Sequence, residues 1–177
     1  VKLHVRSAFS WVPGTWVSEE PSMENAIISA VTHDTSEAKM TVSGVPDQPG
    51  VAARLFRALA DADANVDMIV QNVSEDGATD ISFTLPHEQL PAATATVEAL
   101  VAEIGAKGVV TDSGIGRVSL TGAGMQTNPG VAATMFETLS ANGINIEMIS
   151  TSAIRISCVV REDQAEQAVT VLHAAFE

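Results

Sequence analysis

The chain has 177 residues, 46% of them hydrophobic, enough to bury a core, and it carries a formal charge of −13. That charge repels nucleic-acid phosphates and excludes nucleic acid as a partner. Cys158 is the single cysteine, which excludes an internal disulfide and a cysteine-based zinc cluster; within the apolar run IRISCVV it reads as a buried, inert thiol.

Residues 1–22, VKLHVRSAFSWVPGTWVSEEPS, lack the uninterrupted apolar core of a signal peptide. With Trp11, Pro13, Gly14 and Trp16 they read as linker, and Met23 stands as a natural internal start. No apolar stretch reaches the ~20 residues that span a bilayer. A soluble, cytoplasmic chain with no membrane partner is the expectation. Ala26–Thr32, AIISAVT, is an apolar segment without an evident place.

From Lys39 to Gly44 the alternation KMTVSG predicts a half-buried strand. PDQPG then turns the chain, with Pro49 suited to the first helical position. Val51, Leu55, Phe56, Leu59 and Ala62 recur at helical spacing, so Val51–Ala62 is a helix with one buried stripe. Asn65–Val73 is strand-like, SEDGAT a hairpin turn, and Asp80–Leu85 the return strand. A helix from Pro91 to about Ile104 and a short strand at Val109–Thr111 follow. The order is β-α-β-β-α-β, a ferredoxin-like unit.

The same text then returns. PGVAARLFRALADADANVDMI at Pro49–Ile69 reappears as PGVAATMFETLSANGINIEMI at Pro129–Ile149, 80 positions on and without a gap. One unit is therefore built twice. The second copy predicts a strand at Arg117–Thr121, a helix at Val131–Asn142, strands at Asn145–Ser150 and Ile154–Val160, and a helix at Gln164–Phe176. It lacks a fourth strand. Ala26–Thr32 is inferred to supply it, which threads the first copy through the second with crossings near Asp34–Ala38 and Asp112–Gly116. The fold class is α+β, with one unit at 36–112 inserted into a discontinuous unit of 24–35 plus 113–177.

Catalytic and cofactor signatures are missing: there is no GxxxxGK[ST], HExxH or CxxC. His4, His33, His87 and His173 show no ligand spacing, so no metal is expected, and no cofactor. GAGMQTNPG at Gly122–Gly130 has Gln126 and Thr127 where a dinucleotide loop needs its third glycine. Glu24, Glu37, Glu75, Asp76, Glu162, Asp163 and Glu166 gather at turns and helix starts, where solvated carboxylates favour the helix dipole. An acylphosphatase-type phosphate site fails because Arg54 lies within the helix and not in the loop before it.

Binding chemistry concentrates at the repeated turn. In PDQPGVA the free N–H groups that open the helix suit a carboxylate, Gly50 allows close approach, and Asp47 offers an ammonium its partner. Taken alone, the loop fits simple helix capping by Asp47 or Gln48 equally well. The adjoining strand adds Gln71 and Asn72 after apolar DMIV, and the second copy has Thr151 and Ser152 at the same positions. Edge exposure explains one such polar pair more easily than two.

The segments SEAKMTVSGVPDQPGVAARLFRALADADANVDMIVQNVS and RVSLTGAGMQTNPGVAATMFETLSANGINIEMISTSAIRIS resemble the tandem ACT domains of aspartokinase, most closely the regulatory β subunit of α2β2 enzymes. The resemblance covers residues 23–177, and the leading VKLHVRSAFSWVPGTWV resembles the end of the catalytic portion in the longer α subunit. It implies a non-catalytic regulatory chain that binds threonine and lysine and transmits feedback inhibition to a catalytic α subunit of this phosphotransferase. It implies the inserted arrangement too, and a homodimer in which ACT units of two chains pair side by side around the effectors.

Carried over by position, one cleft uses Asp47, Gly50, Ala52 and Gln71, completed by Asn145 and Ile146 of the facing unit. The other uses Met125, Gly130, Ala132, Thr151 and Ser152, completed by Val66 and Asp67. Asp47 and Gln71 suit threonine in the first cleft, while Asp67 suits the distal ammonium of lysine in the second. A stand-alone tandem-ACT amino-acid sensor and a purely structural dimerisation module remain alternatives.

Overall fold

The computed structural model describes residues 3–5, 15–17, 27–72 and 77–176. The expectations for the rest of residues 1–22, for Met23 and for the hairpin turn at 74–76 lie outside the described residues, as do Glu24, Glu75 and Asp76. Strands β1 (Leu3–Val5) and β2 (Thr15–Val17) pair antiparallel, so Trp16, expected as linker, is a strand residue opposite His4. Then come β3 (Ala30–Asp34), β4 (Glu37–Pro46), α1 (Val51–Asp61), β5 (Asp67–Gln71), β6 (Ala78–Pro86), α2 (Leu90–Ile104) and β7 (Gly108–Asp112). After these the chain forms β8 (Ile115–Thr121), α3 (Gly130–Ala141), β9 (Met148–Thr151), β10 (Arg155–Arg161) and α4 (Ala165–Phe176).

Two four-stranded antiparallel sheets result, in the orders β5-β6-β4-β7 and β3-β8-β10-β9. Each has its own helical cover. In the first, Met40, Val42, Ile81, Phe83 and Leu85 meet Leu55 and Leu59 of α1 and Val97 of α2. The Phe83 ring packs edge-on to Phe56 at 5.6 Å, a favoured aromatic geometry. In the second, Val118, Leu120, Ile156 and Cys158 meet Met135, Leu139 and Leu172. Burial pushes the Cys158 thiol up to about 12, so it stays protonated and inert as expected.

Element boundaries differ where backbone geometry overrides pattern. The segment expected as a strand at Ala26–Thr32 pairs with β8 only from Ala30, and runs on to Asp34 opposite Arg117. Ile28 instead sinks into the second core. Pro49 does not open the helix: Gly50, at φ 94°, turns the chain first and is the N-cap of α1. Glu37 is also unlike the expectation of a solvated carboxylate. It starts β4 at 8% exposure and pairs with Arg117.

The sheets meet along a seam. Met68, Ile115, Met148 and Val159 form an apolar cluster there, with Val70 against it, and β5 runs beside β9. Met68 enters the seam through a register shift between Asp67 and Val70 and an unusual positive φ of 39°, its N–H held by Asp67 Oδ1.

Both passages of the chain between sheets have the same build. Each starts with an aspartate that closes an Asx-turn and then pairs with an arginine. Asp34 Oδ1 accepts the Ser36 amide and hydroxyl at 2.8 and 2.7 Å, while Oδ2 meets Arg117 at 3.2 Å. Asp112 Oδ1 accepts the Gly114 amide at 2.9 Å, while Oδ2 meets Arg161 at 2.7 Å. Arg117 also reaches Glu37 and Asp67, and Arg161 also reaches Glu147, which Lys39 contacts from the other sheet.

These contacts give the fold a pH dependence of definite sign. Hydrogen bonds from Ser36, with Arg117 beside, hold the Asp34 carboxyl below its ordinary range. Those from Arg161 and then Gly114 do the same for Asp112. Burial alone would raise Glu147, but Lys39 and Arg161 outweigh it and hold that carboxyl down too. Carboxyls depressed in the folded state stabilise it above their unfolded pKa, and this contribution is lost as pH falls through the folded value. The urea midpoint is expected to fall between about pH 6 and about pH 3. A midpoint constant over that interval would contradict the assignment of these pairs.

Candidate functional site

The second cleft is a cavity of about 270 Å³ lined by Met125, Asn128, Pro129, Val131, Ala132, Thr151, Ser152, Ala153 and Ile156. Four residues assigned from the sequence, Met125, Ala132, Thr151 and Ser152, thus come together in one place. Gly130 stands at the start of α3 beside them, where no atom lies within 4 Å of an added Cβ. Its lining carries no charged side chain. Asn128 turns inward on the loop, its side-chain amide donating to the Gly124 carbonyl at 2.8 Å. Ala153 and Ile156 were not anticipated: they lie where β9 turns into β10, and nothing in their types marks a site.

The two completing residues lie elsewhere in the single chain. Val66 packs against the first core. Asp67 gives one carboxylate oxygen to Arg117 and the other to the Met68 amide, so a ligand ammonium there competes with an existing cation.

The first cleft is a more open cradle. Asp47 and Gln71 are exposed, and Ala52 is half-buried. The Asp47 amide donates to the Gly77 carbonyl at 3.0 Å, which fixes the loop and leaves its carboxylate outward. No side chain caps α1, so the capping alternative for Asp47 and Gln48 is not realised. The Val51 amide donates to the Gln48 carbonyl at 3.4 Å, so the N–H groups of Ala52 and Ala53 are those of the first turn left for a ligand. No atom lies within 4 Å of a Cβ added at Gly50, so an approaching carboxylate meets an open backbone. Asn145 and Ile146 line a separate cavity of about 360 Å³ with Phe136, Ser140, Gly143 and Ile144. None of the first cleft's other residues line that cavity.

Among the described residues, no group of three or more His, Cys, Asp or Glu could hold a metal ion. No described helix is long and apolar enough to cross a membrane.

Comparison with known proteins defines what this pair of units is. ACT domain models match residues 40–102 and 118–176, one in each unit. A solved structure described as aspartokinase alpha and beta subunits is 42% identical, superposes with a TM-score of 0.79, and aligns over 84% of this chain and 98% of its own. The chain belongs to the aspartokinase family. The ligand-free regulatory subunit of aspartate kinase from Thermus thermophilus is similar at 38% identity, TM-score 0.80, over 85% of this chain and 99% of that one. The aspartokinase of Mycolicibacterium smegmatis is 52% identical over 181 residues. That match takes in 99% of this chain and 43% of the relative, so the chain spans less than half the length of such aspartokinases. Its two ACT domains are the regulatory region of the aspartokinase fold.

Proposed function

We propose that this aspartokinase region senses end products, taking threonine in the first cleft and lysine in the second, and passes feedback inhibition to a catalytic α subunit. The cavity formed by Met125, Asn128, Ala132, Thr151 and Ser152 carries the reading. At about 270 Å³ it falls below the ~300–1,000 Å³ of drug-sized sites, the scale of a single amino acid. Its repeat counterpart has the polar ends that an α-amino acid requires: the N–H groups of Ala52 and Ala53 in the first turn of α1 and the outward carboxylate of Asp47.

In this reading the domains are 36–112 and 24–35 plus 113–177, the first inserted into the second, and each cleft is finished by a second copy of the chain. The sheet edges support that. β5 and β9 are both outermost strands, and at the same repeat position they expose Ile69 at 51% and Ile149 at 41%. Unpaired strand edges bearing exposed aliphatics favour pairing with another chain. Side-by-side pairing would bring Asn145 and Ile146 of one copy to the Gln71 cleft of the other. The known α and β subunits of the similar aspartokinase suggest the catalytic partner.

Effector that bridges two copies is linked to their association, and inhibition follows if it prefers one arrangement over another. Threonine is therefore expected to raise both the dimer fraction in sedimentation and the melting temperature, and Ile69→Asp to weaken the dimer. A threonine-independent sedimentation profile would sink the bridging geometry. A thermal-shift screen across the proteinogenic amino acids separates this reading from a sensor of other amino acids and from a module that binds none.

A further inference from the structure

The loop that walls the second cleft lies on the segment by which the chain enters the second sheet. A Cβ on Gly122 would stand 2.1 Å from the Ile27 carbonyl oxygen, and one on Gly124 would stand 2.8 Å from the Ile27 Cα. The obstacle in both cases is backbone, so only glycine lets Ile27 cross there. Immediately after the crossing, the Ser29 amide donates to the Thr121 carbonyl at 2.7 Å and the β3 ladder begins. The Gly124 carbonyl accepts the Asn128 side-chain amide at 2.8 Å and the Thr127 amide at 3.2 Å. Asn128 lines the candidate effector cavity, and it also lines a neighbouring cavity of about 560 Å³ that Ile27 and Ile28 help to wall.

The first unit contains the same joint with a different origin. Gly44 is the repeat counterpart of Gly124, and a Cβ there would stand 2.5 Å from carbons of the Lys107 side chain. The Lys107 amide donates to the Ser43 carbonyl at 2.8 Å. Lys107 connects α2 to β7, so this crossing ties the unit to itself. Ile27 instead leads into β3 from the chain that precedes the unit.

We propose that Ile27–Ser29 is a strap that couples the state of the second cleft to the strand by which the chain enters the second sheet, residues 28–34. A ligand that draws in Asn128 shifts the Gly124 carbonyl, and the Ile27 backbone follows because the glycine contact leaves no slack. The proposal rests on the amino-acid-binding reading above and adds the route by which the cleft is read.

Hydrogen exchange on the whole chain tests it, with lysine and threonine each at saturation set by calorimetry. In the unsubstituted chain, effector should slow exchange at residues 28–34 by about tenfold, alongside the cleft loop. In Asn128→Ala, its fold checked by circular dichroism and its own saturation set by calorimetry, the cleft loop should still be protected while residues 28–34 change by less than about threefold. Protection of the cleft loop alone in the unsubstituted chain overturns the strap. A ligand-free arm decides independently: Gly124→Ala should speed exchange at residues 28–34 by about tenfold, and Gly44→Ala should leave them unchanged. Equal rates in Gly124→Ala and the unsubstituted chain also overturn it. Absence of any amino-acid heat, with the ligand-free arm as expected, refutes the effector reading and leaves the mechanical joint standing.

Discussion

Replacing Arg117 by alanine is expected to lower the unfolding free energy by about 3 kcal/mol, the scale of a broken buried ion pair. The side chain is 15% exposed and holds three carboxylates, at 3.2 Å from Asp34, 3.1 Å from Glu37 and 2.5 Å from Asp67. Glu37 is the decisive partner. Among the described residues, Arg117 is the one cation on its Oε1, and its Oε2 has no hydrogen-bond partner. Without Arg117 a buried carboxylate is left uncompensated, and three acids that the guanidinium held together repel one another.

The sign can be checked internally. Glu37→Gln should recover part of the loss in the Arg117→Ala background, and the loss should shrink at acid pH as Asp34, held below its ordinary range by Ser36 and Arg117, takes up a proton. Arg54→Ala is the control: its pair with Glu103 is exposed on both sides, at 53% and 67%, and should cost under about 1 kcal/mol. If Arg117→Ala unfolds at the same urea concentration as Arg54→Ala, the staple has no energetic weight.

The second large effect concerns affinity. Asp47→Asn is expected to weaken threonine binding by about 30-fold, the scale of a charge-assisted hydrogen bond to an ammonium. The substitution keeps shape and exposure, and the loop is held by the Asp47 backbone amide, which the variant retains. Gln71→Ala removes the group that the proposed threonine assignment sets against the hydroxyl and should cost about tenfold. Asp67→Ala should leave threonine in the first cleft untouched while altering lysine. It also removes one of the three carboxylates that Arg117 contacts, so its melting temperature must be measured in parallel. Threonine binding to Asp47→Asn within twofold of the unsubstituted chain would refute the assignment of the ammonium partner.

Much of this architecture could be read from local pattern. The stripe from Val51 to Ala62 follows helical spacing, and Leu55 and Leu59 are its buried residues. The 80-residue echo singled out Thr151 and Ser152 as counterparts of Gln71 and Asn72, and the family resemblance added Met125 and Ala132; all four line one cavity. Glu37 was misread because a carboxylate after a turn looks solvated until the arginine of another sheet is known. Arg117 and Arg161 left no local trace for the same reason: their partners lie 83 and 49 residues away. Asp-Thr-Ser at 34–36 and Asp-Ser-Gly at 112–114 are Asx-turn sequences standing at both sheet changes. The positive φ of Met68 had no sequence signature at all, since neither glycine nor asparagine occupies that position.

The two passages between the sheets also bear on how such a chain can be built and rebuilt. Lys39 and Asp112 sit opposite one another on adjacent strands, so the stretch between them leaves from the corner where it enters. A segment whose ends meet can be exchanged as a cassette through two short junctions, because its replacement imposes no new span on the host. Each junction already has its own fastening, Asp34 with Arg117 and Asp112 with Arg161. Grafts that keep those four residues can vary the first cleft while the second sheet stays as it is, a route to chimaeras in which one unit is changed and the other left alone.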